Sequence, residues 1–114
     1  MTQPVLWRPD LTPGEEDLLW FGGIGDFMKE TGKPYYTVPA LIEGIHRFNR
    51  ATLEVCQAER VECVDLAAVI PRDTSMFYDD VHFSERGSGL VASTVVDYLK
   101  QRPPFVAEQT SAAH

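Results

Sequence analysis

The chain has 114 residues, 44% apolar and 24% charged, a size and composition that suit one compact domain. Its formal charge of -7 disfavours binding to nucleic-acid phosphates or to anionic membrane surfaces. No apolar run approaches the roughly 18 residues of a membrane span and no signal-peptide pattern opens the chain, so the sequence predicts a soluble protein.

The first predicted elements are a strand end and a short helix. Residues 1–7 form a short apolar run with a proline, which is typical of a strand that runs into a loop. Thr12-Pro13-Gly14-Glu15 is a capping box with proline at the first helical position. It predicts a helix from Pro13 to about Phe21, which Gly22-Gly23 ends, and a loop over residues 22–36.

A long amphipathic helix is predicted next, from about Pro39 to Arg60. Apolar side chains recur there at three- and four-residue spacing, which indicates one inner face. The residues of that face are Leu41, Ile45, Phe48, Thr52 and Val55. The opposite, polar face carries Glu43, Arg47, Arg50, Glu54 and Gln57.

A second strand and a last helix complete the chain. The run "VECVDLAAVI", Val61 to Ile70, is β-branched and apolar, which predicts a buried strand that ends near Asp65. After a polar, aromatic loop, Ser84 is the expected N-cap of a helix that reaches about Gln101. Its predicted inner side consists of Leu90, Val91, Val95, Tyr98 and Leu99. We expect one domain over residues 1–102 and a frayed tail over residues 103–114.

The order strand, short helix, long helix, strand, helix favours an α/β fold. Strands joined through a long helix are typical of a right-handed βαβ crossover in a parallel, doubly wound sheet. Two strands do not complete such a sheet, so the chain is predicted to be half of a larger layered structure, with self-association through the open sheet edge. In such folds, sites lie beyond the carboxyl ends of the strands.

The two cysteines, Cys56 and Cys63, are too few for a disulfide scaffold and lack the spacing of a metal site. The sequence therefore favours two reduced, half-buried thiols over a disulfide. A zinc site built from Asp79, Asp80 and His82 is disfavoured, since no further cysteine or histidine at suitable spacing completes it. No metal and no cofactor is expected.

The stretch "FYDDVHFSERGSGLVAS", Phe77 to Ser93, contains the candidate catalytic residues Asp79 and His82. A histidine that acts as general base needs one free ring nitrogen, while the other donates to a carboxylate that fixes its tautomer. An aspartate three residues earlier in a tight loop can supply that carboxylate. The alternative is a surface loop whose acids cap neighbouring amides. Asp80 could be a hydrogen-bond acceptor that supports the site or a solvated side chain, and solvation is favoured.

A resemblance to a known family favours the catalytic interpretation. "DDVHFSERGSGLVASTVVDYL" closely resembles the last sequence block of the SGNH, or GDSL-type, hydrolases, in which an Asp-x-x-His precedes a glycine and a terminal helix. "FNRATLEVCQAERVECVDLAAVI" resembles the helix and strand before that block, and "TQPVLW" the strand and loop before those, with an insertion of "LTPGEEDLLWFGG". The resemblance runs from about Thr2 to Gln101.

The resemblance implies the C-terminal half of a flavodoxin-like three-layer α/β/α sandwich with a parallel sheet, and ester hydrolysis through a Ser-His-Asp triad. His82 would be the general base and Asp79 its orienting partner. The family's Gly-Asp-Ser nucleophile block and its oxyanion-hole residues have no counterpart here, and Ser84 and Ser88 sit where capping roles are common. We therefore expect the chain alone to be inactive.

Three interpretations follow from that departure. The chain is the C-terminal portion of an SGNH-type hydrolase, which acts in the complete enzyme on a small-molecule ester. Alternatively, it is a non-catalytic α/β binding module that keeps the fold remnant. The third interpretation is one piece of a split enzyme, in which a partner chain carries the nucleophile.

Overall fold

The computed structural model describes residues 1–21 and 36–102, and helices dominate the folded part. In chain order these helices are α1 Pro13–Glu16, α2 Val38–Ala58, α3 Leu66–Val69 and α4 Glu85–Gln101. The described parts of the segments between them are extended or form turns. None of the helices in the described ranges combines the length and apolar character that a membrane span needs.

The extended N-terminal segment, residues 2–7, runs through the centre of the fold. Its side chains Val5, Leu6 and Trp7 are at most 5% exposed, and Pro4 is fully buried. The core that forms around this segment consists of Leu6, Leu66, Ile70, Met76 and Phe77. Partly buried side chains of α4, among them Leu90, Val91 and Val95, pack against it. Burial of apolar surface is therefore concentrated around a segment that has no regular secondary structure.

The predicted parallel sheet is absent from the described residues, so the α/β class and the α/β/α sandwich are wrong. The two predicted strands lie side by side, but the hydrogen bond from Thr2 N to Val64 O, at 3.1 Å, is the one backbone link described between them. The nearest feature to a sheet is an isolated antiparallel bridge between Phe77 and Phe83. Without a sheet, the predicted self-association through a sheet edge also loses its basis.

The backbone of residues 2–7 finds partners other than a neighbouring strand. The side-chain amide of Asn49 accepts from Gln3 N at 2.7 Å and donates to Gln3 O at 2.8 Å. Leu6 N donates to the carbonyl oxygen of Asp80 at 3.0 Å. Pro4 has no N–H to offer a ladder. Buried backbone groups need hydrogen bonds, and these contacts supply them without a sheet.

The second predicted strand stops because Asp65 leads directly into a helix. Thr2 Oγ1 donates to Asp65 Oδ1 at 2.7 Å and accepts from Ala67 N at 2.9 Å, at the first turn of α3. Leu66 and Ile70 enter the core from this helical turn and its end. The β-branched run from Val61 is thus too short in the extended conformation to form a ladder.

The predicted helices are confirmed with shifted ends. Thr12 and Glu15 form the predicted capping box, but α1 ends at Glu16, five residues before the predicted end. The predicted cap at Ser84 is confirmed, since its hydroxyl accepts from Gly87 N at 3.0 Å, and α4 reaches Gln101 as predicted. The stop at Gly22-Gly23 and the tail over 103–114 lie outside the described residues.

The predicted inner face of α2 is wrong in part. Phe48 is 60% exposed and Val55 is 58% exposed, whereas the buried residue of this helix is Asn49. Asn49 faces inward, where its amide pairs with the Gln3 backbone. Among the described residues, α2 therefore leaves part of its apolar surface uncovered.

The prediction of two reduced thiols is also wrong, since Cys56 and Cys63 form a disulfide, with Cα atoms 6.1 Å apart. The turn after α2 brings them together. Arg60 adopts φ 55°, and its N–H and that of Val61 donate to Gln57 O and Cys56 O, which is the Schellman arrangement at a helix end. This turn reverses the chain within a few residues, which the spacing of two cysteines in a sequence does not reveal.

Gly87 allows α4 to approach the turn before it. A Cβ atom built on Gly87 would collide with the carbonyl oxygen of Met76. That oxygen also accepts from Ser84 N at 2.8 Å, and Ser84 Oγ donates to Ser75 O at 2.7 Å. The first turn of α4 is thus held closely against backbone, which cannot move as a flexible side chain would.

We predict that Gly87→Ala lowers the free energy of unfolding by about 2 kcal/mol, because the added methyl forces α4 away from Met76. Gly89→Ala is the matched control, since nothing lies within 4 Å of a Cβ there and alanine favours the helix. Urea unfolding of both variants measures the difference. Equal stability of the two variants would show that this close packing is absent.

We predict that reduction of the Cys56–Cys63 disulfide lowers the free energy of unfolding by about 2 kcal/mol. The reason is that the unfolded chain gains conformational entropy when the short loop is no longer closed. Urea unfolding with and without dithiothreitol measures this loss. The double variant Cys56→Ser, Cys63→Ser is the control and should not respond to the reductant. An identical unfolding midpoint of the wild-type protein in both conditions would contradict the disulfide's stabilising role.

Candidate functional site

The loop before α4 holds Asp79 and His82 in a tight turn. The bridge between Phe77 and Phe83 closes the loop, and Tyr78 N donates to His82 O at 3.2 Å. Phe77 is fully buried, and its ring centroid lies 5.1 Å from that of Phe83. An aromatic pair inside the fold therefore anchors the turn, while His82 remains 52% exposed in its side chain.

The Asp79 carboxylate both shapes the turn and contacts the histidine. Its Oδ1 accepts from Val81 N at 2.9 Å and from His82 N at 2.7 Å. Its Oδ2 lies 2.8 Å from His82 Nδ1. The Asp79 side chain thus caps neighbouring amides and also contacts the histidine, although the sequence presents these two roles as alternatives.

Hydrogen bonds keep Asp79 ionised. Burial opposes its charge, but the His82 and Val81 amides, the His82 ring and the Trp20 indole outweigh this and lower the pKa of Asp79 below its ordinary 3.8. An ionised carboxylate only accepts hydrogen bonds, so Nδ1 of His82 is the donor in this pair. The neutral imidazole then has Nε2 as its proton acceptor, and no described residue forms a hydrogen bond to that atom.

Two aromatic rings lie nearly parallel to the His82 imidazole. The Trp20 ring centroid is 6.0 Å away at an interplanar angle of 6°, and the Tyr78 centroid is 5.6 Å away at 8°. The Trp20 indole N–H also donates to Asp79 Oδ2 at 3.2 Å. These contacts limit the orientations of the imidazole.

Asp80 is fully buried, so the prediction of a solvated side chain is wrong. Its Oδ2 accepts from the Trp7 indole at 3.2 Å and from Phe21 N at 3.1 Å. Its Oδ1 has no hydrogen-bond partner among the described residues. Desolvation by burial raises the pKa of Asp80 above its ordinary 3.8, so two adjacent aspartates differ in protonation behaviour.

No serine among the described residues forms a hydrogen bond with His82. Ser84 caps α4 and donates to Ser75 O, and the Ser75 hydroxyl donates to Asp73 Oδ1 at 2.5 Å. Ser88 is exposed on α4. The capping role expected of Ser84 is therefore confirmed by its contacts.

An ion pair near the N-terminal segment positions the chain that leads to Trp20. The Arg8 guanidinium donates to Glu15 Oε1 at 2.8 Å and Oε2 at 2.7 Å, and also to Arg72 O at 2.9 Å. The Thr12 amide and Arg8 lower the pKa of Glu15 to about 2. This contact fixes α1 beside the loop that precedes the candidate site.

Three aromatic residues, Trp20, Phe21 and Tyr78, lie at this site beside the two candidates from the sequence. In the structure all three are more than half exposed and lie around His82 or Asp80. The signal available in the sequence is the adjacency of Tyr78 to Asp79; nothing marks Trp20, because 59 residues separate it from that acid.

Two other features do not add to this site. A shallow cavity of about 350 Å³ between the N-terminal region and α2 contains neither Asp79 nor His82; its lining includes Arg8, Leu11, Glu16, Pro39, Ile42 and Glu43. Within residues 1–21 and 36–102, no group of three or more histidine, cysteine or acidic side chains is arranged to hold a metal ion.

Comparisons of the chain with protein-family models, with curated proteins and with solved structures find no match. The resemblance to SGNH-type hydrolases therefore rests on the sequence blocks described above.

We predict opposite pH dependences for the two neighbouring acids. The pKa of Asp79 is lowered by folding, so its stabilising effect is present above pH 3.8 and is lost as the pH falls through the folded-state value. The pKa of Asp80 is raised, so its contribution is greatest below pH 3.8 and is lost as the pH rises through the folded-state value.

Urea unfolding of Asp79→Asn and Asp80→Asn across acidic and neutral pH measures both effects. Relative to wild type, Asp79→Asn should become less stable as the pH rises, and Asp80→Asn should become more stable. Parallel pH dependences in the two variants would contradict the assignment.

Proposed function

We propose that this chain supplies the general base of an SGNH-type ester hydrolase, with His82 as the base and Asp79 as its orienting partner. The observation that carries the proposal is the 2.8 Å contact between Asp79 Oδ2 and His82 Nδ1, with the carboxylate kept ionised by its other hydrogen bonds. A carboxylate in this position holds the tautomer in which Nε2 accepts a proton.

In the proposed reaction, Nε2 of His82 takes the proton of a serine hydroxyl as its oxygen attacks the ester carbonyl. The imidazolium then returns that proton to the leaving alcohol, and the acyl-enzyme is hydrolysed by water activated in the same way. Asp79 stabilises the imidazolium that forms in each half-reaction. The nucleophile and the oxyanion donors would come from polypeptide outside the described residues, since no serine there contacts His82.

Loss of the parallel sheet changes the basis of the proposal. The site is not placed at the carboxyl ends of sheet strands in the described residues, so support from the position of the motif falls away. What remains is the local geometry of the turn and the sequence resemblance of residues 79–99. The ester substrate is part of the proposal.

A binding role without catalysis is the second candidate, because three exposed aromatic side chains lie close together. Trp20 is 51% exposed, Phe21 59% and Tyr78 61%. Exposed aromatic clusters of this kind mark surfaces that contact ligands or partner proteins. In this alternative His82 is one more contact residue, and the Asp79 contact has only a structural effect.

The test is hydrolysis of a short-chain aryl ester, p-nitrophenyl acetate, by two preparations. The first is the chain of 114 residues, and the second is the same chain expressed together with any coding sequence that adjoins it in frame in the native gene. We expect background rates for the first and serine-dependent turnover, with labelling by a fluorophosphonate probe, for the second. Inert protein in both preparations would overturn the proposal and leave the binding role.

In the active preparation, His82→Gln should lower kcat by about two to four orders of magnitude, because the serine loses its general base. Asp79→Asn should lower kcat in the same direction, because the asparagine amide does not hold the Nδ1–H tautomer. His46→Gln, on the exposed surface of α2, is the matched control and should leave turnover unchanged. Wild-type turnover in His82→Gln would exclude His82 as the base.

A further inference from the structure

Asp80 joins three separate parts of the chain within the core. Its side chain is fully buried, and Oδ2 accepts hydrogen bonds from the Trp7 indole and from Phe21 N. Its backbone oxygen accepts from Leu6 N at 3.0 Å. A buried acid with so few polar neighbours is costly to keep, so its contacts need an explanation beyond packing.

Trp20 and Phe21 connect Asp80 to the catalytic candidates Asp79 and His82. Phe21 is bonded to Asp80, and its neighbour Trp20 donates to Asp79 Oδ2 at 3.2 Å while its ring lies parallel to His82. The Trp7 and Phe21 rings, whose centroids are 6.0 Å apart, add an apolar contact beside the two hydrogen bonds of Asp80. The dipeptide Trp20-Phe21 is thus bonded once to each of the two adjacent acids.

We infer that Asp80 is a positioning residue for the Asp79–His82 pair and that it acts through the Trp20-Phe21 dipeptide. The inference rests on the proposed function for its catalytic meaning, although the geometry it predicts can be measured without any activity. Asp80 fixes Phe21 N, Phe21 fixes Trp20, and Trp20 holds both the Asp79 carboxylate and the plane of the imidazole. Small displacements of a general base lower reaction rates strongly, so this support affects turnover.

The contacts of Asp80 indicate which replacement preserves its role. Both donors contact Oδ2, whereas Oδ1 has no hydrogen-bond partner among the described residues, and burial raises the pKa of the carboxyl. The Oδ1 of asparagine can accept the same two hydrogen bonds, and its side chain carries no charge. Asp80→Asn is therefore the conservative variant, and Asp80→Ala removes the acceptor.

The experiment is NMR spectroscopy of ¹⁵N-labelled protein, in which long-range imidazole correlations report the tautomer of neutral His82. Nuclear Overhauser contacts between Trp20 and His82 report the ring arrangement. In wild type and in Asp80→Asn we expect the Nδ1–H tautomer and these contacts. In Asp80→Ala we expect a mixture of tautomers and loss of the contacts. Asp97→Ala, on the exposed side of α4, is the control and should match wild type.

A folded Asp80→Ala protein with the wild-type tautomer and intact Trp20–His82 contacts would overturn the inference. If Asp80→Ala does not fold, the variant Trp20→Phe tests the inference instead. It keeps an aromatic ring at position 20 and removes the indole N–H that donates to Asp79. Mixed tautomers in that variant would support the inference, and an unchanged Nδ1–H tautomer would overturn it.

Activity measurements separate this inference from the proposed function. In a preparation that hydrolyses ester, Asp80→Ala should lower kcat by about 10- to 100-fold with little change in KM, and Asp80→Asn should restore most of it. If no preparation hydrolyses ester while the NMR results hold, the proposed function fails and the positioning role of Asp80 stands.

Discussion

The structure depends on how the buried N-terminal segment satisfies its backbone hydrogen bonds. Residues 2–7 are buried except for Gln3, and no strand in the described part of the chain pairs with them, so their buried polar groups need other partners. Asn49 bonds both backbone groups of Gln3, and the carbonyl oxygen of Asp80 accepts from Leu6 N. These contacts tie α2 and the turn before α4 to the same central segment. The position of His82 therefore follows from the burial of residues far from it in sequence.

Adjacent acids with opposite environments are the second organising feature. Asp79 lies at the edge of the core, where four hydrogen-bond donors stabilise its charge, while Asp80 points inward, where burial favours its proton. The two residues are adjacent in sequence. The Asp79 carboxylate can orient a histidine, whereas the Asp80 side chain accepts hydrogen bonds in the interior. Trp20 and Phe21 contact one acid each, which couples the two environments.

Local signals in the sequence predicted the parts of the structure that neighbouring residues determine. The capping box at Thr12, the N-cap at Ser84 and the extent of α4 follow from contacts within three or four residues. The Asp79–His82 contact belongs to the same class, since three residues separate the partners. The turn that contains both residues determines the geometry of the Asp79–His82 contact, so this contact can be predicted from the local sequence.

Long-range contacts account for the predictions that are wrong. The apolar run at 1–7 is typical of a strand that runs into a loop, and the β-branched run at 61–70 is typical of a buried strand. The Asn49 amide and the Asp65–Thr2 contact replace the ladder that these strands would require. In α2, Asn49 faces inward and its neighbour Phe48 faces outward. The disulfide depends on the left-handed backbone conformation of Arg60. Arginine seldom adopts this conformation, so the residue type does not predict it.

The central claim is that the Asp79 carboxylate activates Nε2 of His82. Acylation by diethyl pyrocarbonate, read by mass spectrometry near pH 8 where free imidazoles are neutral, measures this directly, with exposed His46 as the internal standard. We expect wild-type acylation at Nε2, and in Asp79→Asn we expect the acylation rate of His82 to fall relative to that of His46. An unchanged ratio, or wild-type acylation at Nδ1, would contradict it.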